Sequence, residues 1–172
     1  MAILSKQQLY LTVFFLIFLA TKANSQGEQM KAFENLIGGE WVTTPKAAGG
    51  LQSKSVSKFE WGLNRKIIKS KYYNHDPKTF EFGLRNEGIR AHNASDSTIV
   101  FYEFDRFGGI TEGTVLTEGQ NLHYEYDYHG ELKLRDTWKF IDKDNYSLTV
   151  GVWKDGKWEK KYHEALVKRV PD

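Results

Sequence analysis

The stretch from Asn121 to Ile141, NLHYEYDYHGELKLRDTWKFI, constrains the fold of this chain more than any other. Leu122, Tyr124, Tyr126 and Tyr128 fall on one parity, and His123, Glu125, Asp127 and His129 on the other. After His129-Gly130 the alternation resumes, with Leu132, Leu134, Trp138 and Phe140 set against Lys133, Arg135, Thr137 and Lys139. Successive side chains of a strand point to opposite faces, so two such runs around a glycine turn predict a β-hairpin with one wet face. So many aromatics on the dry face suit the interior of a barrel, either filling it or lining a cavity.

The rest of the chain continues the pattern. Gln52–Trp61 reads as a strand whose apolar parity changes between Val56 and Phe59, a change that a bulge would explain. Arg65–Tyr72, Thr79–Arg85, Ser97–Asp105, Ile110–Leu116, Tyr146–Val152 and Trp158–Arg169 follow as strands. Gly88–Asp96 reads as irregular and polar, and Thr43–Gly50 as a loop. Turn composition marks Gly62-Leu63-Asn64, Asn74-His75-Asp76-Pro77, Asp142–Asn145 and the Asp155-Gly156 pair. About ten short strands joined by tight turns predict an all-β, up-and-down antiparallel barrel. No internal repeat or linker divides it.

Ahead of the barrel, Gln26–Leu36 has helical spacing through Met30, Phe33, Leu36 and Ile37, and is expected to pack on one end of the β structure. Residues 1–25 stand apart. Lys6 precedes the apolar run Leu9–Ala20, and Ala23-Asn24-Ser25 places small residues where a signal peptidase reads them. Twelve apolar residues are short for a bilayer span of roughly 20. The expectation is therefore a cleaved signal peptide, residues 1–25, followed by one barrel domain, residues 26–172. The product would be periplasmic or secreted, with no stable membrane insertion.

Charge and cysteine narrow the function classes. The whole chain carries 24 Lys+Arg against 22 Asp+Glu, and removing residues 1–25 takes away Lys6 and Lys22, leaving a formally neutral protein. A neutral surface of interspersed signs has no field to collect nucleic acid. The absence of cysteine excludes disulfides, thiolate metal sites and a cysteine nucleophile. The five histidines are scattered without zinc spacing, so no metal site is expected. No nucleophile elbow, phosphate loop or dinucleotide fingerprint is present.

Three places resemble the calycin superfamily, and within it the lipocalin-like secreted bacterial proteins of uncharacterised function. Gly39-Glu40-Trp41 is similar to the Gly-x-Trp that opens the first lipocalin-type strand after a short helical segment. Phe59–Arg65 is similar to their aromatic strand end and tight turn, and Leu134–Asp142 with Tyr146 to their late strand pair. The resemblance implies a barrel with one mouth and an internal pocket, with Trp41 closing the base. Haem-binding calycin barrels of the nitrobindin kind resemble the chain in strand count and place a proximal histidine on a late strand, where His163 stands. Their Gly-x-Trp-x-Gly-x-Gly opening is not reproduced, since Val42-Thr43-Thr44 follows Trp41. No cofactor is expected, haem through His163 being the exception to test.

The candidate chemistry follows from parity. Asp136 shares the parity of Leu134 and Trp138, and Glu103 that of Ile99 and Phe101, so both carboxylates should face the apolar side. A carboxylate there must be paired, hydrogen-bonded or shifted in pKa. His163 shares parity with Ala165 and Val167. The first expectation is a binding barrel for a small apolar or amphipathic molecule, lined by Trp61, Tyr72, Tyr102, Tyr124, Tyr126 and Trp138, with Asp136 or Arg135 fixing a polar group. The second is a cofactor-free isomerase, cyclase or lyase using Asp136, Glu103, Arg135 and His163 with the tyrosines. A carboxylate of raised pKa facing a cavity would favour the second. A filled barrel acting through its surface is the third, and predicts an exposed apolar patch and no cavity.

Overall fold

In a computed structural model, which describes residues 29–45, 54–76, 78–128, 130 and 132–171, the chain forms a closed antiparallel barrel of ten strands. They are β1 (Glu40–Pro45), β2 (Ser55–Gly62), β3 (Ile67–His75), β4 (Phe82–Asn93) and β5 (Thr98–Asp105). β6 (Ile110–Glu118), β7 (Asn121–Tyr128), β8 (Leu132–Asp142), β9 (Asn145–Lys154) and β10 (Lys157–Val170) complete the meander. Each strand pairs with its sequence neighbours, and β1 closes the ring on β10 through Glu40↔Val170 to Pro45↔Ala165. Closure leaves no open sheet edge among the described strands, which satisfies the backbone of an all-β chain within one ring. Residues 1–25, and with them the expected signal peptide, lie outside the described residues, as does most of the expected Thr43–Gly50 loop.

The central hairpin is β7 and β8, paired from Leu122↔Trp138 to Tyr128↔Leu132. Its inner parity is the expected one, with Leu122, Tyr124, Leu134 and Trp138 buried. The rings of neighbouring strands meet edge to face. Phe59 contacts Trp138 at 5.6 Å, Phe101 contacts Tyr124 at 5.2 Å, and Trp41 contacts Tyr146 at 5.1 Å between centroids. Such contacts let large rings fill the tapering end of a barrel without stacking face to face.

A 3-10 helix, Lys31–Leu36, closes one end, inserting Met30, Phe33 and Leu36 into the core. Trp41 is fully buried beneath it, and its indole Nε1 donates to the Leu36 carbonyl at 2.8 Å. From β10, the Arg169 guanidinium lies 4.4 Å from the Trp41 ring and donates to the carbonyls of Asn35, Ile37 and Gly38. The opposite end carries the β3–β4, β5–β6 and β9–β10 turns. There Asp76 pins the β3–β4 turn. The backbone amides of Lys78 and Thr79 and the Arg85 guanidinium, 3.0 Å away, hold its carboxyl down at about 2.

Three sequence expectations need correction. β2 pairs with β1 and β3 without a register shift, so no bulge changes its parity. Its inner face is Ser55, Ser57 and Phe59, two small polar residues where apolar ones were expected. Gly88–Asp96 is not irregular: residues 88–93 belong to β4, which turns Gly88 and Arg90 inward and Ile89 outward. Phe82 and Leu84 share a side as expected, yet they are exposed on the outer surface, as is Phe80 in the turn before β4. A register shift against Tyr72 and Tyr73 of β3 turns this segment over, so Leu84 faces out while Asn86, two residues on, faces the cavity.

Candidate functional site

The interior is layered. Towards the closed end Trp41, Ile68, Ile99, Leu122, Trp138, Tyr146 and Val167 form an apolar plug. Above it opens a cavity of about 410 Å³. One wall, from β5 to β9, is mainly apolar and aromatic, with Phe101, Tyr124, Tyr126, Leu134, Trp138, Leu148 and Val150, and Glu103 and Asp136 are set among them. The other, from β1 to β4, presents Thr43, Ser55, Ser57, Ser70, Asn86 and Arg90 beside Phe59. A cavity of this size with a few convergent polar groups is the usual form of a small-molecule site.

Arg90 is the centre of the polar wall. It is buried, and its Nη2 donates to Glu103 Oε1, its Nη1 to Ser70 Oγ, and its Nε to the Tyr124 hydroxyl at 3.3 Å. Its guanidinium carbon also lies 5.1 Å from the Tyr124 ring and 5.9 Å from the rings of Phe59 and Phe101. Burial opposes the charge on Arg90, but Tyr124 and Glu103 outweigh it and raise the guanidinium pKa above its ordinary value. The second Glu103 oxygen accepts from Asn86 Nδ2 at 3.3 Å. Gly88, between Ser70 and Glu103 in the register, leaves the space for this cluster. A methyl group on Gly88 would stand 2.5 Å from Arg90 Nη1, 2.8 Å from Ser70 Oγ and 2.9 Å from the Tyr102 carbonyl oxygen.

Asp136 faces the same cavity and is held differently. The Tyr126 hydroxyl donates to Oδ1 at 3.0 Å, and no other donor among the described residues reaches the carboxylate. Removal from water pushes its carboxyl up to about 7; the Tyr126 bond works against that rise, Glu103 adds to it, and the charge of Arg90 opposes it more weakly. The Tyr126 phenol is in turn raised by burial and by Asp136, so it stays protonated and donating at neutral pH. Tyr124, Asp136, Val150 and His163 are successive partners across β7, β8, β9 and β10. His163 therefore lines the cavity two strands from Asp136, roughly 10 Å away at the usual strand spacing.

The residues expected from sequence divide cleanly. Tyr72, Tyr124, Tyr126, Trp138, Asp136, Glu103 and His163 all line the cavity. Trp61 does not: it packs on the core at the closed end, with Arg65 4.7 Å from its ring. Tyr102 is 41% exposed on the outer face, opposite to its neighbours Phe101 and Glu103. Arg135 is also outside, donating to Glu125 with its guanidinium 4.2 Å from the Trp153 ring. Their own parity already turned Tyr102 and Arg135 away from the dry face.

Arg90, Ser70 and Asn86 are the site residues that sequence reasoning missed. Lys69, Ser70 and Lys71 form a polar run, and Arg90 lay in a stretch read as irregular. The alternation Asn86, Gly88, Arg90, His92 was there to be found, but an inward arginine looks like a surface position until its partner strand is known. Among the described residues no group of three or more His, Cys, Asp or Glu is placed to hold a metal ion. No described helix is long and apolar enough to cross a membrane. Compared with known proteins, the chain matches no family model and no curated protein.

Proposed function

We propose that this protein is an exported, lipocalin-like barrel, periplasmic or secreted, that holds one small amphipathic molecule in its interior. The observation that carries this reading is the cavity of about 410 Å³, apolar on one wall and hydrogen-bonding on the other. Barrels of about this size are wide enough to be filled by side chains or to hold one small ligand. Small inward residues such as Ser55, Ser57, Ser70 and Gly88 favour the second outcome here. The third reading, a filled barrel, is disfavoured by that cavity, although the outer face of β4–β6 does expose Phe82, Leu84, Phe104 and Ile110. The reading is tested by native mass spectrometry of the protein purified from its own host without detergent. An additional mass that disappears on denaturation supports it, and a bare polypeptide that also fails to bind any added amphiphile removes it.

One observation favours an enzyme instead. A carboxyl shifted to about 7 and open to the cavity, beside the Tyr126 hydroxyl, is suited to exchange a proton with a bound molecule at neutral pH. In that reading Asp136 is the general acid or base and Tyr126 the group that orients it. Glu103, bound by both Arg90 and Asn86, serves position rather than proton transfer. Incubating the protein with a metabolite extract of the host separates the two readings. Consumption of a compound by the wild type and not by Asp136→Asn supports catalysis, whereas unchanged retention of a compound supports carriage.

Haem has little to hold it. His163 lies on the cavity wall, but the two cations that line it, Arg90 and Lys71, are already paired with Glu103 and Glu87 rather than left to meet propionates.

A further inference from the structure

The charges around the cavity are unequal in a way that bears on the ligand. The Arg90 guanidinium has a carboxylate, two hydroxyls and three ring faces as partners, so its charge is matched within the protein. Asp136 has one hydroxyl. An anionic head entering this cavity would meet two carboxylates, Glu103 and Asp136, a guanidinium already engaged by Glu103, and Lys71, whose ammonium is paired with Glu87 at 3.5 Å. Asp136 makes no direct ion pair among the described residues and feels Arg90 only at a distance, so a cationic head would supply a close counter-charge, in a water-poor site where such a pair counts for more than it does at a surface. The rings of Tyr72, Tyr126 and Trp138 stand around the same space, and aromatic faces attract alkylammonium groups.

Resting on the reading of the barrel as a carrier, we infer that its ligand class is a cationic amphiphile, an amine or quaternary ammonium compound. The ammonium sits at Asp136 and the apolar body lies against Leu134, Leu148 and Val150. The groups that face Asp136 are Tyr124 and Tyr126 on β7, Glu103 on β5, Arg90 on β4 and, across Val150, His163 on β10. Of these Asp136 itself changes charge near neutrality in the direction that matters. It becomes anionic as pH rises through about 7, so capture of a permanent cation strengthens with pH.

The test uses three probes with one chain length: decyltrimethylammonium, decanoate and decanol. Each is titrated below its micellar concentration into the full chain by calorimetry, with tryptophan fluorescence as a second readout because Trp138 lines the cavity. At pH 8 the ammonium is expected to bind at least about tenfold more tightly than decanoate, with decanol between them. Its affinity should fall about tenfold from pH 8 to pH 5.5 while that of decanol stays constant. In Asp136→Asn the ammonium preference and its pH dependence should both vanish, with decanol binding retained. Decanoate binding as tightly as the ammonium, or a preference unaltered by pH, overturns the cationic assignment and leaves the carrier reading standing. Failure of all three to bind overturns the carrier reading and the assignment with it. The pH series on the wild type decides the matter even if the variant does not fold.

Discussion

Asp136 and His92 show how single side chains carry cost into this fold. The Asp136 carboxyl gives up its proton near 3.8 when exposed and near 7 when folded. Between those values the folded state holds the extra proton, so rising pH removes stability across pH 4 to 7, and above that the penalty is complete. The ceiling is on the order of 4 kcal/mol, from about 1.4 kcal/mol for each pKa unit. Asp136→Asn keeps an acceptor for Tyr126 and removes the charge. Urea denaturation at pH 5 and pH 8 is therefore expected to show a fall in wild-type stability with pH that is smaller in the variant. His92 poses a different problem. Both of its ring nitrogens are buried with no hydrogen-bond partner among the described residues, a configuration that costs about 1–3 kcal/mol. Replacement by Phe, similar in shape and free of polar atoms, is expected to raise stability by roughly 1–2 kcal/mol, measured by the same denaturation.

At the scale of elements, the closed end depends on one contact set. The 3-10 helix spans six residues, too few to persist by its own hydrogen bonds. Burial of Met30, Phe33 and Leu36 holds it, and Arg169 ties its C-terminal carbonyls to β10 while covering Trp41. Arg169→Ala removes the charged donor and the ring contact together and is expected to cost about 2–3 kcal/mol. Proteolysis should then begin between Lys31 and Gly38, with the strands still protected. If the helix stays protected in that variant, the apolar side chains alone hold it. The β9–β10 pair shows the opposite tendency. Its register shifts between Trp158 and Lys160 and again between Lys161 and His163, and beyond both shifts His163 keeps the inward parity of Ala165 and Val167.

For the whole molecule, closure is the governing fact. β1 bonds to β10, so residues 120 to 130 positions apart in sequence complete the ring. Long-range antiparallel pairing is slow to form, and refolding is expected on the millisecond-to-second scale in stopped-flow fluorescence. A chain ending before Lys157 lacks the strand that joins β1 to β9. It should lose the cooperative urea transition altogether, because both edges of the remaining sheet lie open and the cavity has no wall on that side. A cooperative transition in the truncated chain would show instead that nine strands suffice.

Alternation alone determined a good deal here. The hairpin of β7 and β8, the inward turn of Asp136 and Glu103, the tyrosine-lined face and the count of about ten strands all follow from period-2 spacing, because a strand admits only two directions for a side chain. Spacing did not determine which segments put their polar parity inside. In β2 and β4 the inward residues are Ser55, Ser57, Gly88 and Arg90 while Ile89 faces out, and a register shift against β3 turns Phe82 and Leu84 outward although they share the sequence parity of Arg90. That inversion is stable only because Glu103, Ser70 and Tyr124, from three other strands, meet the Arg90 guanidinium. An inward charge reads as a surface charge until its counter-charge is placed beside it. Tertiary structure alone decided that pairing, and with it the charge left unmatched at Asp136.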